Sequence, residues 1–230
     1  MGRIGDELAS IVERDPAARN RIEVALLYPG VHAVWGHRLS SWLWRHRMKF
    51  LGRAVSQFTR FLTQIEIHPG ATLGARLFID HGSGVVIGET TVIGDDVTIY
   101  HGATLGGNTL DPGKRHPTIG DRIVVGSGAK VLGDIYVGSD SRIGANAVLL
   151  RTVAEHSVVV GVPGQVIADS RGRIRPTGED ADLPDPVGTS VKSLLRRVEE
   201  LEMQVTGHLT TSNSYISADG VWQTEDDFSI

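Results

Sequence analysis

Aliphatic residues recur every six positions through the middle of this chain, and few folds accommodate that spacing. The series runs Ile67, Leu73, Ile79, Ile87, Ile93, Ile99 and Leu105, then resumes at Ile119, Val125, Val131, Val137, Ile143 and Leu149. Gly follows most of these sites, as at Gly74, Gly88, Gly94, Gly106, Gly120, Gly126, Gly138 and Gly144. Two positions ahead stands a second small or aliphatic side chain: Ile65, Ala71, Leu77, Val85, Val97, Ala103, Ile123, Ala129, Ile135 and Ala147. Residues two apart share one face of a strand. A helix would scatter a six-residue period around its surface. The physical solution is a coil of short strands stacked as a solenoid, the repeated aliphatics forming an interior ladder.

A solenoid interior tolerates insertions only where they leave as loops, so the two breaks in register are informative. One lies between Ile79 and Ile87 and contains Asp80 and His81. The other, between Leu105 and Ile119, extrudes Gly107-Asn-Thr-Leu-Asp-Pro-Gly-Lys-Arg-His-Pro117 and carries Arg115 and His116. A histidine near neutral pKa beside a carboxylate is suited to taking a hydroxyl proton. Stacking brings His81, Glu66, Arg115 and His116 onto neighbouring rungs.

The flanks are different. Residues 3–14, 19–29 and 31–62 show helical spacing, and Asp15-Pro16 reads as an N-cap followed by proline at the first helical position. Trp35, Trp42 and Trp44 read as packing residues. Residues 171–189 read as a Pro/Gly/Asp/Arg-rich linker. Val191, Leu194, Val198, Leu201 and Val205 follow a heptad seam, expected to form a helix only in a bundle at a three-fold axis. Residues 207–230 are polar and read as disordered. The fold class is therefore α+β: a helical segment over 1–63, a β-helix over 64–168, and over 169–230 a flexible tail with a short helix.

Composition excludes several chemistries. There is no cysteine, which removes disulfides, thiolate zinc sites and cysteine nucleophiles. Formal charge is +4 over residues 1–66, −3 over 67–170 and −5 over 171–230. The basic residues of the first segment are spread around helices, so nucleic-acid binding is not expected. No apolar run approaches the roughly 18–20 residues of a membrane span. The first residues lack an apolar signal-peptide core, so a cytoplasmic location is expected.

The hexads resemble the hexapeptide-repeat acyltransferases, a likeness that implies a left-handed, triangular β-helix and trimeric assembly. A closer resemblance, to the serine O-acetyltransferases, runs from about Glu13 to Val166. It rests on Leu26-Leu-Tyr-Pro-Gly-Val-His-Ala-Val-Trp, Ile67-His-Pro-Gly-Ala, Ile79-Asp-His-Gly-Ser-Gly-Val-Val-Ile-Gly-Glu-Thr, Thr104-Leu-Gly-Gly, Arg115-His-Pro, Gly126-Ser-Gly-Ala-Lys-Val-Leu-Gly and Gly161-Val-Pro-Gly. The Asp-His-Gly motif combined with the Leu-Gly-Gly and Arg-His-Pro loop is its most specific part.

That resemblance implies acetyl transfer from acetyl-CoA to the hydroxyl of L-serine, as in cysteine biosynthesis. His81 is then the general base, and Glu66 orients it, standing where the family's usual residue is Asp. Asp15 and Asp80 take the ammonium and hydroxyl region of serine, and Arg115 and His116 its carboxylate. A zwitterionic substrate needs both signs of charge within a few ångströms. Gly106, Gly107, Ser127 and Ala145 match positions where the acetyl-CoA arm approaches the backbone, with Lys130 and Arg142 as phosphate candidates. No metal is expected. L-cysteine is implied as a feedback inhibitor. The assembly is a homotrimer or a dimer of trimers. Ile230 is implied to dock the tail into O-acetylserine sulfhydrylase, a pyridoxal-phosphate enzyme. Three rivals stay open at this point: a hexapeptide acetyltransferase acting on a sugar or antibiotic hydroxyl, a γ-type carbonic anhydrase drawing on His68, His81, His101 and His116, and a non-catalytic scaffold.

Overall fold

The computed structural model describes residues 4–169, 194–198, 200–201, 215–216 and 222–223. Four helices lead: α1 (Ile4–Arg14), α2 (Arg21–Leu27), α3 (Pro29–Arg45) and α4 (Lys49–Thr63). About five turns of coil follow. They comprise β1 (Glu66–Ile67), β2 (Thr72–Leu73), β3 (Phe78–Asp80), β4 (Val86–Ile87), β5 (Val92–Ile93), β6 (Thr98–Tyr100), β7 (Thr104–Gly106), β8 (Thr118–Ile119) and β9 (Val124–Val125). β10 (Lys130–Leu132), β11 (Tyr136–Val137), β12 (Arg142–Ile143), β13 (Val148–Leu149), β14 (Ser157–Val160) and β15 (Gln165–Asp169) complete it.

Through β13 every third strand pairs in parallel, and β14 and β15 extend the third sheet, giving the orders β1-β4-β7-β10-β13, β2-β5-β8-β11 and β3-β6-β9-β12-β14-β15. The predicted ladder is the observed register: Ile67 faces Ile87, Leu73 faces Ile93, and Ile79 faces Ile99. Their counterparts in later coils, Leu105, Ile119, Val125, Val131, Val137, Ile143 and Leu149, are all buried in one continuous core. Two of the partners two positions ahead are polar and buried: the Thr91 hydroxyl, ahead of Ile93, has no hydrogen-bond partner among the described residues, whereas Ser141, ahead of Ile143, is satisfied. Buried Ser141 donates to Ala154 O (3.1 Å) and accepts from Ser157 N (3.0 Å).

A solenoid needs caps, because its first coil presents backbone carbonyls with no coil beyond them. The helices supply the donors. Ser56 Oγ donates to Ile67 O (2.9 Å), His37 Nε2 to Ala71 O (3.2 Å) and Arg14 Nη2 to Arg76 O (2.5 Å). Gly30, in the first turn of α3, lies so close to the Ile79 carbonyl that any Cβ would overlap it. Below this contact Ile11, Val24, Val31 and Phe78 form a second small core. Buried Glu7 pairs with Arg38 across α1 and α3. At the far end β15 turns back antiparallel on β14 and covers its edge.

Two local expectations are corrected. Asp15-Pro16 does not open a helix; it forms a turn after α1, and the cap of α2 is Asn20, whose side chain accepts from Glu23 N. The long segment 31–62 is broken near Arg47, which adopts φ 62° between α3 and α4. In the C-terminal part residues 194–198 and 200–201 are helical, and Leu194, Val198 and Leu201 lie exposed there. Val191, Val205, the 171–189 linker and Ile230 lie outside the described residues. β16 (Tyr215–Ile216) pairs with β17 (Trp222–Gln223), within a stretch expected to lack structure.

Candidate active site

All strands of the β1-β4-β7-β10-β13 sheet run the same way, so their N-terminal ends line one edge and their C-terminal ends the other. The predicted site residues fall on these two edges. His81 sits in the turn entering β4, on the first edge, with φ 98°. A non-glycine residue held there is strained, and such strain clusters at functional sites. Its side chain is 79% exposed, with Nε2 3.7 Å from Asp80 Oδ1. The ring of His101, one coil on, lies 6.4 Å away at a steep angle.

Asp15 reaches the same edge from the α1–α2 turn. Its Oδ1 accepts from Ala17 N (2.8 Å) and its Oδ2 from the Tyr28 hydroxyl (2.6 Å). Donating to a carboxylate pushes the Tyr28 pKa up to about 12, so it remains a donor. The turn is held in place by the preceding residue. Arg14 lies over the Phe78 ring (5.4 Å) and also donates to Thr98 Oγ1 (3.2 Å) on the second coil. Burial raises the Asp80 carboxyl pKa, His81 lowers it in part, and Asp15 adds to the rise. Glu66 lies on β1 near this edge, but its Oε2 meets Arg60 Nη1 (3.2 Å) from α4. The carboxylate that faces His81 within the chain is therefore Asp80.

The second edge carries the long insertion, which walls a cleft of about 590 Å³ with Glu89, Thr90, Leu110, Pro112 and Arg115 among its lining. Arg115 Nη2 donates to Glu89 Oε2 (2.5 Å), and this pairing holds the Glu89 carboxyl below its usual range. Lys114 Nζ donates to Thr90 O (2.7 Å) and pins the loop. His116 is 8% exposed, and its ring lies against Gly88, where any Cβ would overlap it. Burial, then Arg115, lowers the His116 pKa. His68, half-buried edge-on to Trp44 (5.1 Å), belongs to the same cluster, and burial lowers its pKa too.

The residues expected along the acetyl-CoA arm divide in the same way. Gly106 and Gly107 lie at the second edge, where the insertion leaves the coil. Ser127 and Ala145 lie at the first, on the turns entering β10 and β13. Lys130 Nζ donates to Gly102 O (2.8 Å) and Gly128 O (2.6 Å), so two of its three protons are spent on turn carbonyls. Arg142 is exposed at the start of β12, on another face. Sequence alone does not single out Glu89, Thr90 and Tyr28. Each lies inside one of the family-like motifs, but its partner stands many residues away. Among the described residues no three histidines or carboxylates converge to hold a metal ion, and no helix is long and apolar enough to cross a membrane.

Comparison with known proteins agrees with the fold. Residues 116–151 match the family model described as bacterial transferase hexapeptide (six repeats). A serine acetyltransferase of Mycobacterium tuberculosis is 58% identical over 219 residues, covering 95% of this chain and 94% of that protein. The crystal structure of Neisseria gonorrhoeae serine acetyltransferase in complex with serine superposes with a TM-score of 0.70 at 38% identity, covering 72% of this chain and 67% of that one. A Brucella abortus serine acetyltransferase in complex with coenzyme A gives 0.71 at 39% identity, covering 72% and 66%. A serine acetyltransferase in complex with cysteine gives 0.71 at 36% identity, covering 72% and 65%.

Proposed function

The chain belongs to the serine acetyltransferase family and is an acyltransferase, and from that premise we propose that it carries acetyl from acetyl-CoA to L-serine at a site shared between two copies. The observation that supports this reading is the division of the predicted residues between two edges of one sheet. Asp15, Asp80 and His81 lie on one edge, and Arg115 and His116 on the other. A six-residue side at about 3.3 Å per residue separates the edges by roughly 20 Å. Serine is far too short to bridge that distance. A neighbouring copy in a cyclic assembly sets the acidic edge of one chain against the Arg115 edge of the next, as a heterologous interface requires. It also covers His81, whose exposure in a single chain leaves no dry site for chemistry.

In the proposed reaction the His81 imidazole takes the serine hydroxyl proton as that oxygen attacks the thioester carbonyl. Collapse of the tetrahedral intermediate breaks the carbon–sulfur bond, and the departing thiolate receives the same proton as free CoA thiol. Asp80 orients the imidazolium and, with Asp15, receives the serine ammonium. Arg115 and His116 receive its carboxylate. Glu66 stabilises the acidic edge through Arg60. Gly106 and Gly107 of one copy, with Ser127 and Ala145 of the next, line the acetyl-CoA arm, and the remaining Lys130 proton and Arg142 are its phosphate contacts. The serine and cysteine complexes of the related structures support L-serine as substrate and L-cysteine as a feedback inhibitor. A trimer, a cytoplasmic location and a sulfhydrylase partner engaged through Ile230 complete the proposal.

Release of CoA thiol tests it, with L-serine compared to D-serine, L-homoserine and a galactoside. L-serine alone is expected to support turnover. His81→Ala and Arg115→Ala are each expected to abolish it. Unfolded and refolded together in equal amounts, they regain about one quarter of wild-type activity, since each edge is intact in half of the chains. A mixture as inactive as its components refutes the shared site, and turnover with the galactoside refutes the zwitterion pocket.

A further inference from the structure

His116 has its ring nitrogens in different surroundings, and the hydroxyl of Thr90 accounts for the difference. Thr90 Oγ1 accepts the backbone N–H of Arg115 (3.1 Å) and of His116 (3.1 Å). A hydroxyl has two acceptor lone pairs and one proton. Both lone pairs are engaged, so the proton is left for His116 Nδ1, 2.9 Å away. The Thr90 backbone N–H points at the same nitrogen (3.3 Å). A nitrogen facing two donors must present its lone pair, so a neutral His116 carries its proton on Nε2. Nε2 lies between Gly88 and Gly107 and has no acceptor among the described residues.

We propose that Thr90 is a positioning residue that locks His116 as the Nε2–H tautomer, making it a neutral hydrogen-bond donor to the substrate and excluding it as a base. Protonating Nδ1 would set an N–H against both Thr90 donors. Burial and the facing cations Arg115 and Lys114 oppose protonation as well, while Glu89 favours it. The division of labour follows: the base of the proposed reaction is His81 on the opposite edge, and the Arg115-His116 pair can only donate. This inference deepens the proposed function, resting on His116 facing the substrate there.

The test is nitrogen-15 NMR of the histidine-labelled full chain, the His116 signal being assigned by its loss in His116→Gln. The expected wild-type pattern is a protonated Nε2 and an unprotonated Nδ1, unchanged through neutral pH. A proton on Nδ1, or an even mixture of tautomers, overturns the proposal without recourse to any variant. Thr90→Val is expected to mix the tautomers and raise the KM for L-serine about tenfold, the cost of one weakened hydrogen bond to a charged group. Its kcat is expected to change much less. Thr90→Ser, which keeps the hydroxyl, restores both readouts. A Thr90→Val protein with the wild-type tautomer and KM refutes the role of the hydroxyl. If the tautomer is as expected but L-serine is not acetylated, the functional reading fails and the lock on His116 stands.

Discussion

The hydroxyl of Tyr28 lies 2.6 Å from Asp15 Oδ2, joining the start of α3 to the turn after α1. Gly30, two residues on, seats α3 on the Ile79 backbone, and Arg14 seats α1 on the Arg76 carbonyl. Asp15 is thus delivered to the His81 edge by two helices docked independently on the coil. Helical sequence and coil packing are both needed to place one carboxylate.

Tyr28→Phe removes that hydrogen bond while keeping the ring. The KM for L-serine is expected to rise about fivefold, equivalent to about 1 kcal/mol, with kcat little changed. Steady-state kinetics with serine varied at saturating acetyl-CoA will show it. A proportional loss in kcat alone would move Asp15 from binding to chemistry.

Asp80 and Glu66 are the two carboxylates available to His81, and Glu66 is engaged by Arg60. Asp80→Asn is expected to lower kcat by about a hundredfold or more, as loss of an orienting carboxylate does, and Glu66→Gln by less than about tenfold. The reverse order would assign the orienting role to Glu66. Stability should move oppositely to activity in Asp80→Asn. The Asp80 carboxyl pKa is raised in the folded protein, so its ionised form costs stability at neutral pH, a cost relieved as pH falls. Thermal melts should place the variant above wild type at pH 7 to 8, with the gap closing in acid.

Much of this organisation is legible in the order of residues alone. Ile67, Ile87, Leu105, Val131 and Leu149 stack because parallel in-register pairing and a six-residue side leave one way to bury them together. Asp15-Pro16 misleads for a chemical reason: an aspartate accepting an N–H two residues on looks the same at a helix start and in a turn. The distant pairings are not legible. Arg60 with Glu66 and Thr90 with His116 join residues on separate elements, and no local pattern encodes which donor finds which acceptor. Nor does a linear spacing reveal that His81 and Arg115 stand on opposite edges of one sheet. That follows only once the strand direction is known.

His37 sits buried between α3 and the first coil, donating to Ala71 O, and burial depresses its pKa to about 4. The unfolded chain binds this proton near the ordinary value of 6.5. Stability from His37 is therefore full above about pH 6.5 and is lost as pH falls toward 4, by roughly 3 kcal/mol over the window. His37→Gln keeps a donor for the carbonyl and cannot titrate there. Chemical denaturation at pH 7.5 and pH 5 should show a smaller acid loss in the variant than in wild type. Equal losses would locate the acid sensitivity elsewhere.

Gly88 tests whether the His116 ring must stay where it is. A methyl group at this position overlaps the imidazole edge, and the ring is held from its other side by Thr90. Either the ring leaves its pocket or the start of the turn after β4 shifts. The interior ladder is untouched in both cases, because Ile87 points inward and Gly88 outward. Gly88→Ala should therefore retain the β-helix by circular dichroism while the KM for L-serine rises about tenfold or more, the order expected when a charged-group hydrogen bond is lost. The His81 edge is intact in this variant, so residual turnover at saturating serine should exceed that of His81→Ala by about a hundredfold. Wild-type kinetics in Gly88→Ala would mean that His116 does not meet the substrate.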